Sequence, residues 1–368
     1  MLKVIDLVYH SHNEYDKPQP VLNIHAPANG FAEFIKDKVE IQFVKHLNFE
    51  GTENINAVKY TFFKSRNRFW YIPFKTHCYI KTQRPDIVIV AGLIFPLQLM
   101  MLKFQLGKKV KIIAQHHNDK PYPGIKGFFQ KCADRCINTY LFTCYDDATE
   151  WVNRKIISNK NKCREILEAS TFLKRKQKTQ SQQRTGMTGT HNFLWVGRLN
   201  IIKDPFTVLK AFETYSASNP AARLYMIYQS GDQLDKVNRI IEQTESLKQS
   251  VKLIGKIDHN ELAYWYSAAD FYISGSHREA SSYALLEAIA CGCIPIVTEI
   301  PSFKKMTSNG KVGYLYPVGN ADALTTILRQ VSTTNISEQS AAVENHFHEN
   351  LSFKNIADDL YKILNDVI

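Results

Sequence analysis

The stretch "DFYISGSHREASSYALLEAIACGCIPIVT", residues 270–298, reads as a strand, a loop, a short helix and a second strand. The apolar run "DFYIS" ends at Gly275. Ser281 or Ser282 can cap the helix that follows, because a serine oxygen accepts from the free N–H groups of a first helical turn. Gly292 suits the position just past a helix end, which leaves Tyr283 to Cys291 helical with Leu285 and Ile289 on one face. Glu279 then belongs to the loop at the carboxyl end of the strand, and Glu287 sits inside an apolar helix. A carboxylate in such surroundings is costly unless something hydrogen-bonds to it. Taken singly, each glutamate fits a salt bridge; each also fits a sugar or ribose diol, whose two hydroxyls can donate to one carboxylate.

A second stretch, "LWVGRLNIIKDPFTVLKAF" (194–212), ends a strand at Gly197 and starts a helix at Asp204 and Pro205, an N-cap and first-turn pair. Arg198 and Lys203 lie in the loop between. Two cations beside a helix N-terminus can hold a diphosphate, Arg through fork-like bonds and Lys as a point charge. A diphosphate clamp, a carboxylate aimed at vicinal hydroxyls and a second one deeper in the fold are together the parts that hold a nucleotide diphosphate sugar.

Around these stretches short apolar strands alternate with helices, the mark of parallel sheets wrapped by helices. In the first half, strands are expected at 3–9, 39–44, 58–63, 86–90, 111–115 and 139–143, with helices at 31–38 and 96–104 among those between. The polar, basic segment 173–192 reads as an interdomain linker or an exposed loop beside one. After it come strands at 193–196, 223–227, 251–254 and 270–274. Helices are expected from Pro205, at 235–249, at 259–268 and at 321–330. At 368 residues the chain is longer than one ordinary core fills. The expected fold is α/β, two doubly wound parallel-sheet domains facing an interdomain cleft, with ligands beyond the carboxyl ends of the strands. The expected domains are 1–185, joined by a C-terminal helix over 352–368, and 186–351.

Charge is unevenly placed: residues 1–185 carry 30 Lys and Arg against 16 Asp and Glu, and residues 186–368 carry 16 against 19. Asn54 to Pro85 holds no acid, but Lys59, Lys64, Arg66, Arg68, Lys75, Lys81 and Arg84 lie among many aromatic residues. Cations meet phosphates while aromatic rings take the interfacial layer, so the mixture suits an anionic membrane surface or a nucleic acid; a strand and helix with a solvated basic face is the alternative. No run of eighteen apolar residues and no signal-peptide pattern appears, so a cytoplasmic location is expected, peripheral at the inner face of the membrane. The seven cysteines form no paired framework and are expected reduced.

The string from "GRLNIIK" through "LIGKIDHNELAYWYSAADFYISGSHREASSYALLEAIACGCIPIVT" resembles the donor half of the retaining glycosyltransferases of family 4, which have the two-Rossmann architecture called GT-B. The family pattern is carried by Gly197, Arg198 and Lys203, then Gly255, Glu261-Leu262 and Ala269-Asp270, then Glu279 and Glu287, and finally Gly292 with Pro295. The likeness covers about residues 192–325. It implies that Arg198 and Lys203 neutralise the donor diphosphate, that Glu279 contacts the transferred sugar and Glu287 the ribose, and that the backbone from Gly255 to Ile257 borders the base. Backbone amides near Ser281 and Ser282 would meet the phosphate.

Two departures matter. Ala280, Ser281 and Ser282 stand where the family often has Gly-Phe-Gly, and Asp204 replaces a usual glycine, bringing a negative charge towards the phosphates. In the first half, where the family often has a glycine pair in the first loop, "APANGFAEF" offers Gly30 alone. "KIIAQHHND" supplies a histidine where the family commonly faces one to the donor sugar. His117 is preferred there by the strand count, with His116 as the alternative.

The expected activity is retaining transfer of a sugar from a UDP-, GDP- or ADP-sugar to a hydroxyl acceptor, in cell-surface polysaccharide or glycolipid assembly. The acceptor is expected to be a carbohydrate or lipid-linked, and nucleic acid is not expected as a partner. No aspartate-rich metal motif is evident, so no metal and no cofactor beyond the donor are expected. Two rivals share these residues: a nucleotide-sugar epimerase of the same architecture, and a non-catalytic basic protein that binds membrane or nucleic acid.

Overall fold

The computed structural model describes every residue except Asn67, Asn118 and Ser230. It forms two units, Met1–Ser170 with Phe353–Ile368, and Thr171–Ser352. The first unit runs β1 (Leu2–His12), α1 (Pro18–Asn29), α2 (Ala32–Ile35), β2 (Val39–Leu47), β3 (Gly51–Ile55), β4 (Val58–Phe63), α3 (Phe74–Gln83) and β5 (Ile87–Ala91). It continues with α4 (Pro96–Leu106), β6 (Lys111–Gln115), α5 (Gly124–Ala133), β7 (Thr139–Phe142), α6 (Tyr145–Asn153) and β8 (Cys163–Glu165). The second runs α7 (Lys178–Thr185), β9 (Asn192–Gly197), α8 (Pro205–Ser218), β10 (Arg223–Tyr228), α9 (Leu234–Gln243), α10 (Glu245–Ser250), β11 (Val251–Gly255) and α11 (Leu262–Ala268). Then come β12 (Phe271–Ser274), α12 (Tyr283–Ala290), β13 (Ile294–Thr298), α13 (Pro301–Met306), β14 (Tyr314–Tyr316), α14 (Ala321–Val331) and α15 (Ile336–His346), before α16 (Phe353–Val367) closes on the first unit.

Among the described residues the first sheet has the order β3-β4-β2-β1-β5-β6-β7-β8 and the second β11-β10-β9-β12-β13-β14. All neighbours are parallel except the hairpin of β3 with β4. That hairpin was not expected from the sequence. It turns at Asn56 and Ala57, both with positive φ (50° and 65°), the conformation that matches the twist of two antiparallel strands, but the usual glycine signal is missing. Both sheets are covered on two faces, so central strands such as β5 and β13 are buried along their whole length.

The β1–α1 connection differs from the expected one. Pro18 and Pro20 occupy the first turn of α1, where a missing N–H costs nothing, so the helix starts well before Phe31. "APANGFAEF" is therefore the end of α1 and the start of α2, and Gly30 has ordinary right-handed φ rather than lining the first loop. The expected linker also differs. Residues 171–185 belong to the second unit, where α7 packs on α11. Arg184 forks onto Glu261 at 2.7 Å through both Nε and Nη2 and lies 4.5 Å from the Tyr264 ring centre. Only Ser181 of α7 is buried, so the helix is held by polar contacts that leave no apolar stripe in the sequence.

Asp270 lies at the start of β12, the end of the sheet remote from the loops after β9 and β12. Its carboxylate pairs with Lys178 and accepts from the Asn192 N–H at 2.8 Å, tying α7 and the start of β9 together. Among the described residues no helix is long and apolar enough to cross a membrane. Because Asp270 is 5% exposed, Asp270→Ala strands two donors. It is expected to destabilise the second unit by about 2–4 kcal/mol, read as a lower urea midpoint, whereas a shift under about 0.5 kcal/mol would contradict this role.

Candidate functional site

In the second sheet the chain builds outward from β9 to β11 and then returns to β12, so the strand order reverses between β9 and β12. These two strands pair only at Phe193–Phe271 and Leu194–Tyr272. Beyond those pairs they lead to loops on either side of a switch point, the place where open α/β sheets leave a crevice. The first loop is folded by Asn200, whose side chain accepts from the Lys203 N–H at 2.9 Å and whose carbonyl accepts from the Asp204 N–H at 3.2 Å. The loop after β12 crosses it closely. A Cβ on Gly275 would lie 2.5 Å from the Asp204 carbonyl oxygen, so only glycine lets the two backbones meet.

Three contacts then join the loops. The His277 N–H donates to the Ile202 carbonyl at 2.8 Å, His277 Nε2 lies 2.9 Å from Asp204 Oδ2, and Lys203 Nζ forms an ion pair with Glu279. Lys203 and Glu279 are both largely buried, with side chains 25% and 13% exposed. Arg198 is exposed and forms no ion pair among the described residues, so its guanidinium is open to a ligand.

Asp204 stands in the left-handed region (φ 40°, ψ 66°), which favours glycine. The strain is offset by its cap: the carboxylate accepts from the Thr207 N–H at 3.1 Å and the Thr207 hydroxyl at 2.6 Å, besides its contact with His277. Its charge is thereby committed within the protein.

α12 is capped by Ser282, whose hydroxyl accepts from the Leu285 N–H at 3.5 Å, while Ser281 is part-buried just before it. Glu287 is 5% exposed on the buried side of α12. Its two oxygens are held separately, Oε1 by His259 Nε2 at 2.8 Å and Oε2 by the Tyr266 hydroxyl at 3.2 Å. Burial and then the Glu287 charge push the Tyr266 hydroxyl well up, which keeps it a donor. The hydrogen bond to Glu287 raises His259 above its ordinary value, with burial opposing. Neither partner of Glu287 was singled out from the sequence, since each lies more than twenty positions away on another element. Gly255 ends β11 with φ 79° and open space where a Cβ would be, and Ile257, two residues on, is half-buried.

In the first unit, His116 and His117 follow β6. His116 turns inward, 5% exposed, against Phe142 and Trp151, with Nε2 3.0 Å from the Asp119 carbonyl. His117 turns outward and pairs through Nδ1 with Glu168 Oε2 at 2.9 Å. Burial lowers the His117 pKa, but Glu168, Asp119 and Asp6 outweigh it and raise the value overall.

The fold is thus two Rossmann-like α/β units, with a cation-and-carboxylate cluster over the switch point of the second. Solved structures share this architecture along the whole chain. HepE of Anabaena in complex with UDP has a TM-score of 0.75 at 12% identity, covering 99% of this chain and 100% of that one. Sucrose-phosphate synthase from Thermosynechococcus elongatus has a TM-score of 0.70 at 14% identity, covering 99% of both. Residues 176–347, just under half of the chain, match the family model "Glycosyl transferases group 1". Among curated relatives, a D-inositol 3-phosphate glycosyltransferase of Streptosporangium roseum is 28% identical over 132 residues, 34% of this chain and 30% of that protein. An alpha-monoglucosyldiacylglycerol synthase of Streptococcus pneumoniae is 30% identical over 148 residues, 40% of this chain and 32% of that protein. These matches span about a third of each relative's length.

Two predictions follow the geometry. Asp204→Gly relieves the left-handed strain while losing the cap, so it should cost only a few tenths of a kcal/mol, whereas Asp204→Ala keeps the strain and should cost about 1–2 kcal/mol. Equal melting temperatures for the two variants would contradict this. The raised His259 pKa means its bond to Glu287 stabilises fully below the unfolded value and is lost as pH rises through the folded value. The stability advantage of wild type over His259→Gln should therefore be largest below the ordinary histidine value of about 6.5 and shrink as pH rises through the raised folded value. An advantage that grows with pH would have the wrong sign.

Proposed function

We propose that the protein is a retaining glycosyltransferase that moves a sugar from a nucleotide diphosphate sugar to a hydroxyl acceptor. The observation that carries this reading is the meeting of Lys203 with Glu279 across the β9–β12 switch point, with Arg198 open beside them and Glu287 buried on α12. As the donor bond breaks, positive charge grows on the sugar carbon and negative charge on the departing phosphate. Arg198, Lys203 and the amides at the start of α12, near Ser281 and Ser282, are assigned to that phosphate, a part that metal ions play in other transferases.

Glu279 is assigned to hydroxyls of the transferred sugar and Glu287 to the ribose, with the backbone of Gly255 to Ile257 beside the base. His259 and Tyr266 would then orient Glu287 for the diol. His117 is assigned to the sugar: Glu168 engages Nδ1, leaving Nε2 for the ligand.

The Lys203–Glu279 pair adds a consequence. In the free protein each group satisfies the other, so a donor must take both at once, Lys203 by its diphosphate and Glu279 by its sugar. A nucleotide diphosphate without sugar takes Lys203 alone and strands Glu279, which favours the complete donor over the spent one.

UDP in the HepE crystal supports a nucleotide-sugar donor, and the relatives named D-inositol 3-phosphate glycosyltransferase and alpha-monoglucosyldiacylglycerol synthase support a carbohydrate-like or lipid-linked acceptor. We place the reaction in cell-surface polysaccharide or glycolipid assembly, with the basic first half at an anionic membrane surface.

Glu279→Gln separates these roles. Freed Lys203 should bind UDP about threefold to tenfold more tightly by calorimetry, while sugar transfer falls on the order of a hundredfold. Lys203→Ala should weaken UDP instead. Unchanged transfer in both variants would overturn the assignment.

A further inference from the structure

α5 faces the wrong way for a helix in water. Its inward side is Gly127, Gln130 and Ala133, and its outward side carries Ile125 and Phe128, 67% and 60% exposed. The inward Gln130 is fully engaged: its carbonyl oxygen accepts from the Tyr122 N–H at 2.8 Å and its amide donates to the Leu93 carbonyl at 3.0 Å. Polar groups are thus satisfied inside while large apolar groups point out, the reverse of an ordinary surface helix.

The outward groups do not stand alone. Phe69 packs edge-on against Trp70 (4.9 Å between ring centres) and Tyr122 (5.9 Å), and Phe129 joins Trp70 (5.7 Å) to Phe128 (6.0 Å). The segment carrying Phe69 and Trp70 is pinned to α4, because the Gln98 amide donates to the carbonyls of Phe69 and Tyr71, both at 2.9 Å. Trp70 remains 62% exposed at the centre of this cluster.

Cations border it. Lys126 Nζ lies 5.1 Å from the Phe69 ring centre and 5.5 Å from that of Tyr122. Lys120, Lys126 and Lys131 are exposed and pair with no carboxylate among the described residues. Beside α5, Phe128, Lys131 and Arg154 line an open hollow of about 360 Å³.

We propose that this face of the first unit docks on an anionic lipid bilayer, with Trp70, Ile125 and Phe128 entering the interfacial layer and the three lysines meeting lipid phosphates. The occupant follows from charge complementarity: a basic half, an aromatic patch at its surface, and cations left unpaired at the rim. Rigid aromatic rings and apolar tips suit the headgroup boundary, where one side is wet and the other apolar. The proposal rests on the glycosyltransferase reading only for its purpose, delivery of the enzyme to a membrane-borne acceptor; the surface itself is argued from the first unit.

The protein carries its own probe. Of its four tryptophans, Trp151, Trp195 and Trp265 are 2%, 1% and 9% exposed, so Trp70 is the one that bilayer insertion would report. Full-length protein is mixed with vesicles of phosphatidylglycerol and phosphatidylcholine, or phosphatidylcholine alone, and followed by sedimentation and by quenching with brominated lipid. The expected result is binding to the anionic vesicles with quenching that Trp70→Phe abolishes, and weakening on the order of tenfold or more as salt rises from about 50 mM to about 500 mM.

Ile125→Glu/Phe128→Glu alters only exposed side chains and should lower vesicle affinity on the order of tenfold or more, with unchanged melting temperature and UDP affinity. Equal binding to neutral and anionic vesicles, no binding at low salt, or wild-type binding by the double variant would overturn the proposal. UDP calorimetry on the same samples keeps the readings apart: loss of UDP binding would count against the glycosyltransferase reading, while failed vesicle binding would leave it standing.

Discussion

A lysine and a glutamate from loops on opposite sides of a reversal in strand order meet as an ion pair, and the second unit is arranged around that meeting. Lys203 arrives there because Asn200 folds its loop back before α8 begins. Glu279 arrives because β12 ends early and Gly275 lets its loop pass against Asp204. Had the two strands paired along their full lengths, the loops would stand apart. The sheet therefore creates the crevice, and the ion pair defines what charge can replace it there.

The same region concentrates cost. Asp204 is held in left-handed backbone, Glu287 is buried on an apolar helix, and Lys203 and Glu279 are mostly removed from water. Each cost is met locally: Thr207 and His277 occupy the Asp204 carboxylate, and His259 and Tyr266 occupy Glu287. Such polar groups are worth keeping only when every partner is present, or when a ligand supplies one. Arg198, exposed and without an ion pair among the described residues, is the member of the cluster that the proposed donor would satisfy.

Much of this was legible in the sequence where local chemistry and tertiary position agree. The β4 and β6 spans could be read to the residue, as short β-prone runs set between charged and polar stretches. Asp204 announced itself as a cap, the α12 cap was narrowed to Ser281 or Ser282, of which Ser282 takes it, and Arg198, Lys203 and Glu279 stood out as loop residues at strand ends. What was hidden depends on long-range polar contact. α7 looked like a linker because Arg184 and Lys178, not apolar groups, hold it. The β3–β4 hairpin turns on Asn56 and Ala57 without a glycine. The start of α1 at Pro18 was not read from the sequence, although a proline suits a first helical turn. In the candidate site, Glu287 was visible but His259 and Tyr266 were not, since no periodicity relates them. The outward-facing apolar side of α5 was likewise unreadable, because a sequence pattern gives a stripe but not which way it points.

Hydrogen–deuterium exchange with and without UDP tests the central claim most directly, because it reads the two loops separately in the intact chain. If Arg198, Lys203 and the start of α12 grip one diphosphate, UDP should slow exchange at residues 198–204 and 276–284 together, with the same concentration dependence. Protection of one loop alone, or of neither while UDP binds elsewhere, would contradict the account.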